Sequence, residues 1–407
     1  MSAGNGMSGP THHHGSDATP AHHTVVRTIK HDLNDRPFIV IWEVTRACAL
    51  ACRHCRAEAM HHPDPRQLTH AESLELLDQL ASYEPPRPMV VFTGGDPFER
   101  DDLVDLVRYG TEKGLHISLS PSVTPKLRPA LLQELHEAGG RAMSVSLDGA
   151  TPERHDAFRG FSGTFEATVQ AAQWIKEAGF RLQINTTLTR GNIREAPQML
   201  KNAIDMGAFM WYTLMLVPTG RGAQLEMLSP EEREDVLNWL HDESDRIAIK
   251  TTEAPQYRRI AIQRQRLRED GVEIPEQVAH RGELYEFLTT ETERLLGGAP
   301  ENPRPPRPPL AVNSGSGFAF IDNTGDVYPN GFLPIHCGSI KDTPFAEIYR
   351  NSEVFQQLRN PDGFEGKCGV CEFNRICGGS RAISYAITGD YLASDPTCAW
   401  IPPQWAQ

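Results

Sequence analysis

From Pro37 onward, short apolar runs alternate with longer stretches in which apolar residues recur every three or four positions. The short runs predict strands and the longer stretches predict amphipathic helices, because side chains repeat every two residues in a strand and every 3.6 residues in a helix. The predicted strands cover residues 38–42, 89–93, 116–120, 142–147, 182–187 and 209–216, and helices are predicted near 101–113, 129–139, 163–178 and 194–206.

The first helix has the clearest start, between the first two strands. Thr69 and Glu72 fit the S/T-x-x-E capping box, and Leu74, Leu77 and Leu80 follow at helical spacing. With it, the chain shows six β-α repeats, which predict a parallel sheet with right-handed crossovers. The predicted fold class is therefore α/β, either an open doubly wound sheet or a barrel.

Residue types that carry chemistry lie directly after the predicted strands. Cysteines follow the first strand, Gly-Gly-Asp-Pro (94–97) follows the second, Asp148 follows the fourth, and Pro-Thr-Gly-Arg-Gly (218–222) follows the sixth. Barrel enzymes build their sites from the carboxyl ends of successive strands. Because only six repeats are visible, the expected fold is an incomplete barrel, open on one side to a bulky substrate.

Residues 1–36 are rich in Gly, Ser, Thr, Pro and His and show no period. This composition predicts a disordered tail. Its histidines are expected to bind metal only adventitiously; they are His12, His13, His14, His22 and His23.

The remaining chain divides into three parts by pattern. The barrel is expected over residues 37–228, and a helical connector that begins with a second capping box is expected over 229–302. The proline-rich stretch 303–309 predicts a linker. Residues 303–407 are then expected to form a small cysteine-bearing domain, with a β-hairpin over 317–328.

The charge balance limits the classes of partner. The chain has 40 Lys and Arg against 53 Asp and Glu, a formal net charge of -13, which argues against a nucleic-acid partner. No apolar run reaches the roughly 20 residues of a membrane-spanning helix, and no secretory signal is visible, so a cytoplasmic protein is expected.

Eight cysteines fall into two groups, three at 48–55 and five at 337–398. Three thiols so close together cannot pair with one another without strain, so metal ligation in a reducing compartment is favoured over disulfides. Cys48, Cys52 and Cys55 form a C-x3-C-x2-C pattern. Three thiolates can hold three corners of an iron–sulfur cubane and leave the fourth iron open to a small molecule.

The second group has the spacing Cys368-x2-Cys371-x5-Cys377, followed after twenty residues by Cys398. Four thiols in one small domain suit a closed site. The residues alone leave two alternatives open, a structural zinc ion and a 4Fe-4S cluster.

Three features of the chain can be compared with a known family: the three-cysteine pattern, the Gly-Gly-Asp-Pro segment, and Ser-Leu-Asp-Gly (146–149) followed by His-Asp-Ala-Phe-Arg-Gly (155–160). Together they closely resemble the radical S-adenosylmethionine (SAM) superfamily over about residues 37–222. Aspartate stands here in place of the commoner glutamate of the glycine-rich segment. The resemblance implies a partial (β/α)6 TIM-like barrel. It also implies that Cys48, Cys52 and Cys55 ligate a 4Fe-4S cluster whose fourth iron chelates SAM, and that SAM is cleaved to a 5′-deoxyadenosyl radical.

The resemblance also implies contacts to SAM. Gly94 and Gly95 would let the backbone approach the methionyl amino group, and Asp96 of the same segment is a further implied SAM contact. The backbone of His54 would border the adenine. Ser146 is an implied ribose contact, and Asn185 would bond the ribose or the carboxylate of SAM. Arg190 is an alternative partner for that carboxylate, and Leu216 is an implied adenine contact. The ordinary alternatives are strand-end side chains that satisfy local backbone groups, and a core leucine.

The C-terminal cysteines resemble the SPASM or twitch extension of radical SAM enzymes, which favours iron–sulfur over zinc for Cys368, Cys371, Cys377 and Cys398. Asn330 and Arg381 stand where the longer pattern has cysteines. One auxiliary 4Fe-4S cluster is therefore expected, and Cys337 is expected to be an ordinary buried thiol.

The motifs most resemble the group of alternative heme-biosynthesis enzymes, which implies oxidative modification of a tetrapyrrole side chain, such as decarboxylation. Arg221, Arg258 and Arg259 are candidate carboxylate clamps, or else arginines on solvated surfaces. A maturase that cross-links a ribosomally made peptide is the alternative. A non-enzymatic electron carrier or zinc module is the alternative of another class. A reductant such as flavodoxin or ferredoxin is the expected protein partner.

Overall fold

The computed structural model describes residues 26–27, 29–275, 278, 281–305 and 307–405. The strands are β1 (Ile39–Thr45), β2 (Met89–Gly94), β3 (His116–Leu119), β4 (Ala142–Ser146), β5 (Arg181–Leu188), β6 (Met210–Met215), β7 (Ala248–Thr252), β8 (Asn313–Ser314), β9 (Gly317–Ile321), β10 (Asp326–Tyr328) and β11 (Gly338–Ser339).

The helices alternate with the barrel strands and then continue into the C-terminal part. They are α1 (His70–Ala81), α2 (Leu103–Glu112), α3 (Pro129–Glu137), α4 (Pro152–Arg159), α5 (Thr164–Glu177), α6 (Ala196–Asp205), α7 (Pro230–Asp242), α8 (Gln256–Glu269), α9 (Glu283–Leu296), α10 (Phe345–Asn351), α11 (Glu353–Leu358), α12 (Gly366–Val370) and α13 (Arg381–Thr388).

The strands form one sheet in the order β11-β10-β9-β1-β2-β3-β4-β5-β6-β7, with β8 paired to β9. All neighbouring pairs from β9 through β1 to β7 are parallel. The six predicted strands are confirmed as β1 to β6, and the capping box that begins α1 at Thr69 is present. The parallel sheet with helices between its strands is the predicted incomplete barrel.

The barrel strands have an apolar outer face, and the inner face is more polar from β3 to β5. Outward side chains such as Trp42 and Ile184 are buried in the main core with the helices. On the opposite face, Ser118, Gln183 and Tyr212 stay partly accessible to solvent. Parallel strands are usually buried on both faces, and barrel interiors are usually filled by branched apolar side chains. The polar inner face thus encloses a space suited to a polar ligand, which we call the lumen.

The segment 229–302 departs from the prediction of a helical connector, because it contains β7, which pairs in parallel with β6. The strand was missed because Ala-Ile-Lys-Thr-Thr is short and has only two apolar residues. The helices of this segment also belong to the barrel wall. Trp239 of α7 packs edge-on against Trp211 of β6, and its indole N–H donates to Thr292 of α9 over 3.0 Å.

The C-terminal part continues the barrel sheet. β9 pairs in parallel with β1, and β10 returns antiparallel to β9, which confirms the predicted hairpin. The proline-rich linker precedes it. The backbone N–H of Arg304 donates to the Asp245 carbonyl over 2.8 Å, so the linker lies against the end of the α7 region. The N-terminal edge strand of the barrel is therefore covered by the C-terminal domain.

The histidines predicted to bind metal adventitiously lie outside the described residues. The prediction of a disordered tail is wrong for the last part of residues 1–36, because Leu33 and Asp35 contact the C-terminal domain. The Tyr349 hydroxyl donates to the Leu33 carbonyl over 2.7 Å, and Arg350 pairs with Asp35 over 2.8 Å. The polar composition of this segment hid contacts that depend on a distant part of the chain.

In the part of the chain that the structure describes, no helix combines the length and the apolar character needed to cross a membrane.

Candidate active site

The loop after β1 carries the first three cysteines, and we call residues 48–55 the triad loop. Cys48 and Cys52 are buried and Cys55 is partly buried. The backbone N–H of Leu50 points at the Cys48 sulfur over 3.4 Å, and the Ser122 hydroxyl lies 3.6 Å from the same sulfur. Burial raises the pKa of the Cys48 and Cys52 thiols. Ligation by thiolates would therefore release protons.

The segment after β6 fixes the triad loop. The Arg221 guanidinium donates through Nε to the Cys52 carbonyl over 2.8 Å, and its backbone N–H donates to the Cys55 carbonyl over 3.0 Å. Gly220 has φ of +53°, and a Cβ there would lie 2.7 Å from the Cys55 carbonyl oxygen. Arg221, predicted as a substrate clamp, therefore holds the loop through Nε, while its buried Nη2 has no protein partner.

Gly94 and Gly95 are required by the close approach of two backbones. A Cβ on Gly94 would lie 2.3 Å from the Thr45 carbonyl oxygen, and one on Gly95 would lie 2.4 Å from that of Ala47. The contact with SAM expected of these glycines stays a prediction. The structure adds a second reason for glycine, because any side chain would push the start of the triad loop away from β2.

Asp96 lies beneath the site and not on its surface. Its side chain is completely buried and accepts from the Thr124 hydroxyl over 2.7 Å and from the Phe98 N–H over 3.1 Å. Burial raises the pKa of this carboxyl to about 6. Both oxygens are bonded to protein, and the contact of Asp96 with SAM stays a prediction. Asp96 shapes the turn that carries the two glycines.

Arg159, at the end of α4, is a site residue for which the sequence predicted no role. Its buried guanidinium pairs with Asp148 over 3.1 Å, and the charges of Cys52 and Cys48 act on it. Gly160 has φ of +71°, and a Cβ there would lie 2.7 Å from the Ala51 carbonyl oxygen. The end of α4 therefore contacts the triad loop at Ala51, next to the Cys52 and Cys55 carbonyls that Arg221 bonds. The only signal in the sequence was that residues 155–160, which contain Arg159 and Gly160, resemble a segment of the radical SAM superfamily.

His54 is stacked on Phe158, with ring centroids 4.8 Å apart. Burial lowers the pKa of His54 to about 4, so the imidazole is neutral. His155 of α4 is neutral for the same reason, with its pKa also lowered to about 4, and its Nδ1 accepts from the Asp148 N–H over 3.0 Å. These neutral rings flank the triad loop.

Three buried polar atoms near the triad loop have no hydrogen-bond partner in the described protein: His54 Nδ1, His155 Nε2 and Arg221 Nη2. Buried polar groups are rarely left unpaired unless a ligand or water meets them. Together with three adjacent thiols and the tight glycine turn, they fit a site that binds a cluster and a polar cofactor.

Parallel pairing aligns four side chains across the inner face of the sheet. Ser146 of β4 is opposite Asn185 of β5, Asn185 is opposite Tyr212 of β6, and Tyr212 is opposite Lys250 of β7. We call these four residues the inner row. Asn185 also bonds to its neighbour Ser144 over 3.2 Å, as expected of a side chain that satisfies local groups. Contact of Ser146 and Asn185 with SAM stays a prediction.

The contact of Arg190 with the SAM carboxylate stays a prediction. Its guanidinium pairs with Glu232 over 2.6 Å and is about half exposed. Glu232 is the residue of the α7 capping box that accepts from the Ser229 N–H. Arg190 therefore joins the end of β5 to the start of α7.

Leu216 is buried next to Gly222, close to the triad loop, and its adenine contact stays a prediction.

The four remaining predicted cluster ligands lie together in the C-terminal domain. Cys368 is on α12 and is buried, and Cys371, Cys377 and Cys398 are partly buried. Burial raises the pKa of Cys377, and the neighbouring Cys398 and Cys368 raise it further. Burial raises the pKa of Cys371 to about 11, and the charges of Glu372 and then Cys368 contribute to the rise. Cys377 thus lies near Cys398 and Cys368, and Cys371 lies near Cys368.

Arg381 and Asn330, which stand where the longer pattern has cysteines, have protein roles. The buried Arg381 guanidinium lies 3.5 Å from the Cys368 sulfur. The Asn330 amide donates to Glu253 over 2.6 Å. Cys337 packs against the main core and bonds to the Ile335 carbonyl over 3.4 Å, as an ordinary thiol would.

Among the residues that the structure describes, no three His, Cys, Asp or Glu side chains converge on a point where they would hold a single metal ion.

Two arginines considered as substrate clamps are bonded to other parts of the protein. Arg259 is buried and pairs with Glu234 over 2.6 Å, so it lies neither on a solvated surface nor free for a substrate. Arg258 donates to the Ile376 carbonyl over 2.9 Å and to the Val312 carbonyl, and so joins α8 to the C-terminal domain.

Comparison with known families agrees with this geometry. Residues 42–203 match the radical SAM superfamily, and residues 313–372 match the SPASM iron–sulfur cluster-binding domain. A partial barrel with three thiols after β1, followed by a cysteine-bearing domain, defines the class of radical SAM enzymes with an auxiliary iron–sulfur domain.

The chain is 40% identical over 369 residues to the AdoMet-dependent heme synthase of Oleidesulfovibrio alaskensis, covering 89% of this chain and 87% of that protein. It is 29% identical over 381 residues to the mycofactocin maturase MftC of Mycobacterium tuberculosis, covering 89% and 83%. The chain belongs to the radical SAM superfamily, in the family that includes this heme synthase.

The fold is shared with a solved structure, Streptococcus suis SuiB bound to precursor peptide SuiA, with a TM-score of 0.64 and 13% identity over 90% of this chain and 76% of that one. The protein is a radical SAM enzyme, and its cofactors are SAM and 4Fe-4S clusters. The assignment of individual cysteines as cluster ligands stays a prediction.

Proposed function

We propose that this enzyme oxidatively decarboxylates a carboxylate-bearing side chain of a tetrapyrrole. The observation that carries the proposal is the 40% identity to a heme synthase over nearly the whole chain, against 29% to a peptide maturase. The polar lumen supports it, because a tetrapyrrole with propionate groups needs polar and cationic contacts.

Conversion of a propionate to a vinyl group releases carbon dioxide, one hydrogen atom and one electron. When bound by Cys48, Cys52 and Cys55, the cluster with SAM supplies the 5′-deoxyadenosyl radical that takes the hydrogen atom. The site of Cys368, Cys371, Cys377 and Cys398 would hold an auxiliary cluster with no open iron, which suits it to accept the electron.

The protein side chains position the reactants. Arg221 and the end of α4 at Arg159 hold the triad loop, so the three thiols keep their relative positions. Because His54 and His155 are neutral, they add no positive charge next to the triad loop. The inner row would hold the polar groups of SAM and substrate. These contacts orient the substrate and exclude water from the reacting carbon.

The test is turnover by the full chain after anaerobic reconstitution with iron and sulfide. With SAM, dithionite and iron coproporphyrin III, mass spectrometry is expected to show 5′-deoxyadenosine and a porphyrin that has lost carbon dioxide and two hydrogens per side chain. An unchanged porphyrin alongside efficient formation of 5′-deoxyadenosine would exclude this substrate. No 5′-deoxyadenosine under any condition would contradict radical chemistry itself.

Maturation of a peptide is the second candidate function, supported by the full-length similarity to MftC. A modified precursor peptide with no change in porphyrin would establish it. For either substrate, we propose a cytoplasmic enzyme whose electron donor is a flavodoxin or ferredoxin. Replacement of dithionite by such a donor tests that partner.

A further inference from the structure

Lys250 is the end of the inner row, and its surroundings are unusual for a lysine. Its ammonium lies 4.6 Å from the centre of the Tyr212 ring, on the face of the sheet that lines the lumen. Solvent reaches the side chain, although protein surrounds it closely enough that burial lowers its pKa to about 8. Lys250 therefore presents a cation inside the barrel and not on its outer surface.

The charges nearest to Lys250 are also positive. After burial, the pKa of Lys250 is lowered further by the positive charges of Arg307, Arg258 and Arg27. Their partners are neutral: Arg307 contacts the Met210 sulfur over 3.8 Å, Arg258 donates to backbone carbonyls, and Arg27 donates to the Pro308 carbonyl over 3.0 Å.

Across the described residues, none of these four cations has a carboxylate within ion-pairing distance. Lys250 and Arg307 are exposed to solvent, and Arg258 and Arg27 are partly exposed. The four therefore form an accessible group of unpaired positive charges, which favours an anionic ligand.

The geometry points to Lys250 as the residue that binds a carboxylate of the substrate at the far end of the inner row from the SAM site. This inference rests on the proposed tetrapyrrole function and identifies where such a substrate is held. Arg307 and Arg258 add positive potential to the same end of the lumen. Both terminal nitrogens of Arg258 already donate to backbone carbonyls, whereas the Lys250 ammonium donates to no protein group among the described residues.

The position of Lys250 also fits the size of the substrate. Neighbouring strands are about 4.8 Å apart, so β7 is about 10 Å from β5, where Asn185 is predicted to contact SAM. A short acid could not contact Lys250 and also reach the SAM site. A macrocycle lying over Tyr212 could, with one propionate on the lysine and another near SAM. The aromatic ring of Tyr212 offers an apolar surface to such a macrocycle.

The experiment is a binding titration of the reconstituted full chain with iron coproporphyrin III, followed by the Soret absorbance. Lys250→Gln is expected to weaken binding about tenfold or more, because a charge-assisted hydrogen bond is lost. Lys250→Arg is expected to retain most of the affinity. Lys113→Gln is the matched control, since Lys113 pairs with Asp78 on the outer surface and is expected to leave binding unchanged.

A second measurement reports on the site itself. Acetylation of lysines in the wild-type protein, read by mass spectrometry, is expected to slow at Lys250 when iron coproporphyrin III is bound and to stay unchanged at Lys113. The tetramethyl ester of the same porphyrin, which lacks the carboxylates, is expected not to give this protection.

The outcomes separate the two proposals. Tight porphyrin binding that is the same in wild type and Lys250→Gln, with no protection of Lys250, would overturn the role of the lysine and leave the tetrapyrrole function standing. Absence of porphyrin binding by the wild-type enzyme would overturn the tetrapyrrole function, and the assignment of Lys250 with it.

Discussion

Arg381 brings a positive charge directly to the auxiliary cysteines. Its guanidinium is held by the Tyr391 and Ala393 carbonyls over 3.1 and 2.8 Å and lies over the Phe364 ring. The remaining nitrogen faces the Cys368 sulfur, and no carboxylate among the described residues neutralises it. Hydrogen bonds and positive charge near the sulfurs stabilise the more negative, reduced form of a cluster.

We therefore predict that Arg381→Gln lowers the reduction potential of the auxiliary cluster, by on the order of 50 mV, close to a tenfold change for a one-electron couple. The measurement is a redox titration followed by electron paramagnetic resonance, with iron content as a check on loading. Arg375→Gln is the control, because Arg375 pairs with Asp362 on the surface. An unchanged potential in a fully loaded Arg381→Gln variant would show that the guanidinium does not act on the cluster.

Asp96 gives the metal-free protein a characteristic pH dependence. Burial raises the pKa of this carboxyl from 3.8 to about 6, so between those values the folded state binds more protons than the unfolded state. The free energy of unfolding is then expected to fall as pH rises from about 4 to about 6, by about 3 kcal/mol from this group. Asp96→Asn is expected to remove that slope.

Urea unfolding of the apo protein at several pH values measures this effect. The matched control is Asp105→Asn, since Asp105 lies on the exposed surface of α2 and pairs only with Arg108. If Asp96→Asn keeps the wild-type slope, the carboxyl is ionised over the whole range and its burial is offset by the two donors that it accepts from.

At the scale of elements, the end of β7 joins the barrel to the C-terminal domain. Glu253 follows β7 with φ of 52°, a left-handed conformation that is uncommon for a residue with a side chain. Its buried carboxylate accepts from Asn330 over 2.6 Å and from the Ser380 hydroxyl, while Arg233 donates to its backbone carbonyl. The turn between β7 and α8 is thus fixed by groups from the other domain.

Replacement of Glu253 tests this junction. Glu253→Ala leaves the buried donors of Asn330 and Ser380 without an acceptor, and is expected to destabilise the protein by about 2–4 kcal/mol. Glu253→Gln retains one acceptor oxygen and is expected to lose less. Thermal or urea unfolding measures the difference, with the exposed Glu269→Ala as control. Equal stability of the Ala variant and wild type would mean that the junction does not depend on this carboxylate.

The strands could be predicted where one face is continuously apolar, as with Val40 and Trp42 in β1, because packing against the helices imposes that pattern. β7 could not, since its outward face offers little more than Ile249. The cysteines could be divided into two groups from spacing alone, and their assignment as cluster ligands stays a prediction. The supporting roles of Arg159 and Arg221 could not, because they depend on segments far apart in the sequence that meet only in the folded chain.

At the scale of the whole molecule, both groups of cysteines are attached to one continuous sheet. The triad loop leaves the end of β1, and β9 of the C-terminal domain pairs with the other edge of that same strand. The domain is therefore an extension of the barrel and not a tethered accessory. Loss of its cysteines should change electron transfer without moving the triad loop.

This arrangement predicts distinct consequences for the two cysteine groups. Cys368→Ala with Cys371→Ala is expected to lose about four irons per chain. It should still cleave SAM to 5′-deoxyadenosine and yet form little oxidised porphyrin, because the electron from the substrate has no acceptor. Cys52→Ala is expected to abolish formation of 5′-deoxyadenosine while the auxiliary iron remains.

Iron and sulfide analysis, 5′-deoxyadenosine and porphyrin product, measured on the same preparations, decide this prediction. The control is Cys337→Ala, which is expected to keep the wild-type iron content and activity, since this thiol packs apart from both groups. If the double variant keeps all of its iron, or loses zinc instead, the C-terminal cysteines do not hold a cluster. If it loses iron and still forms product at the wild-type rate, the electron leaves the substrate by another route, and the C-terminal domain serves the enzyme through its packing against β1.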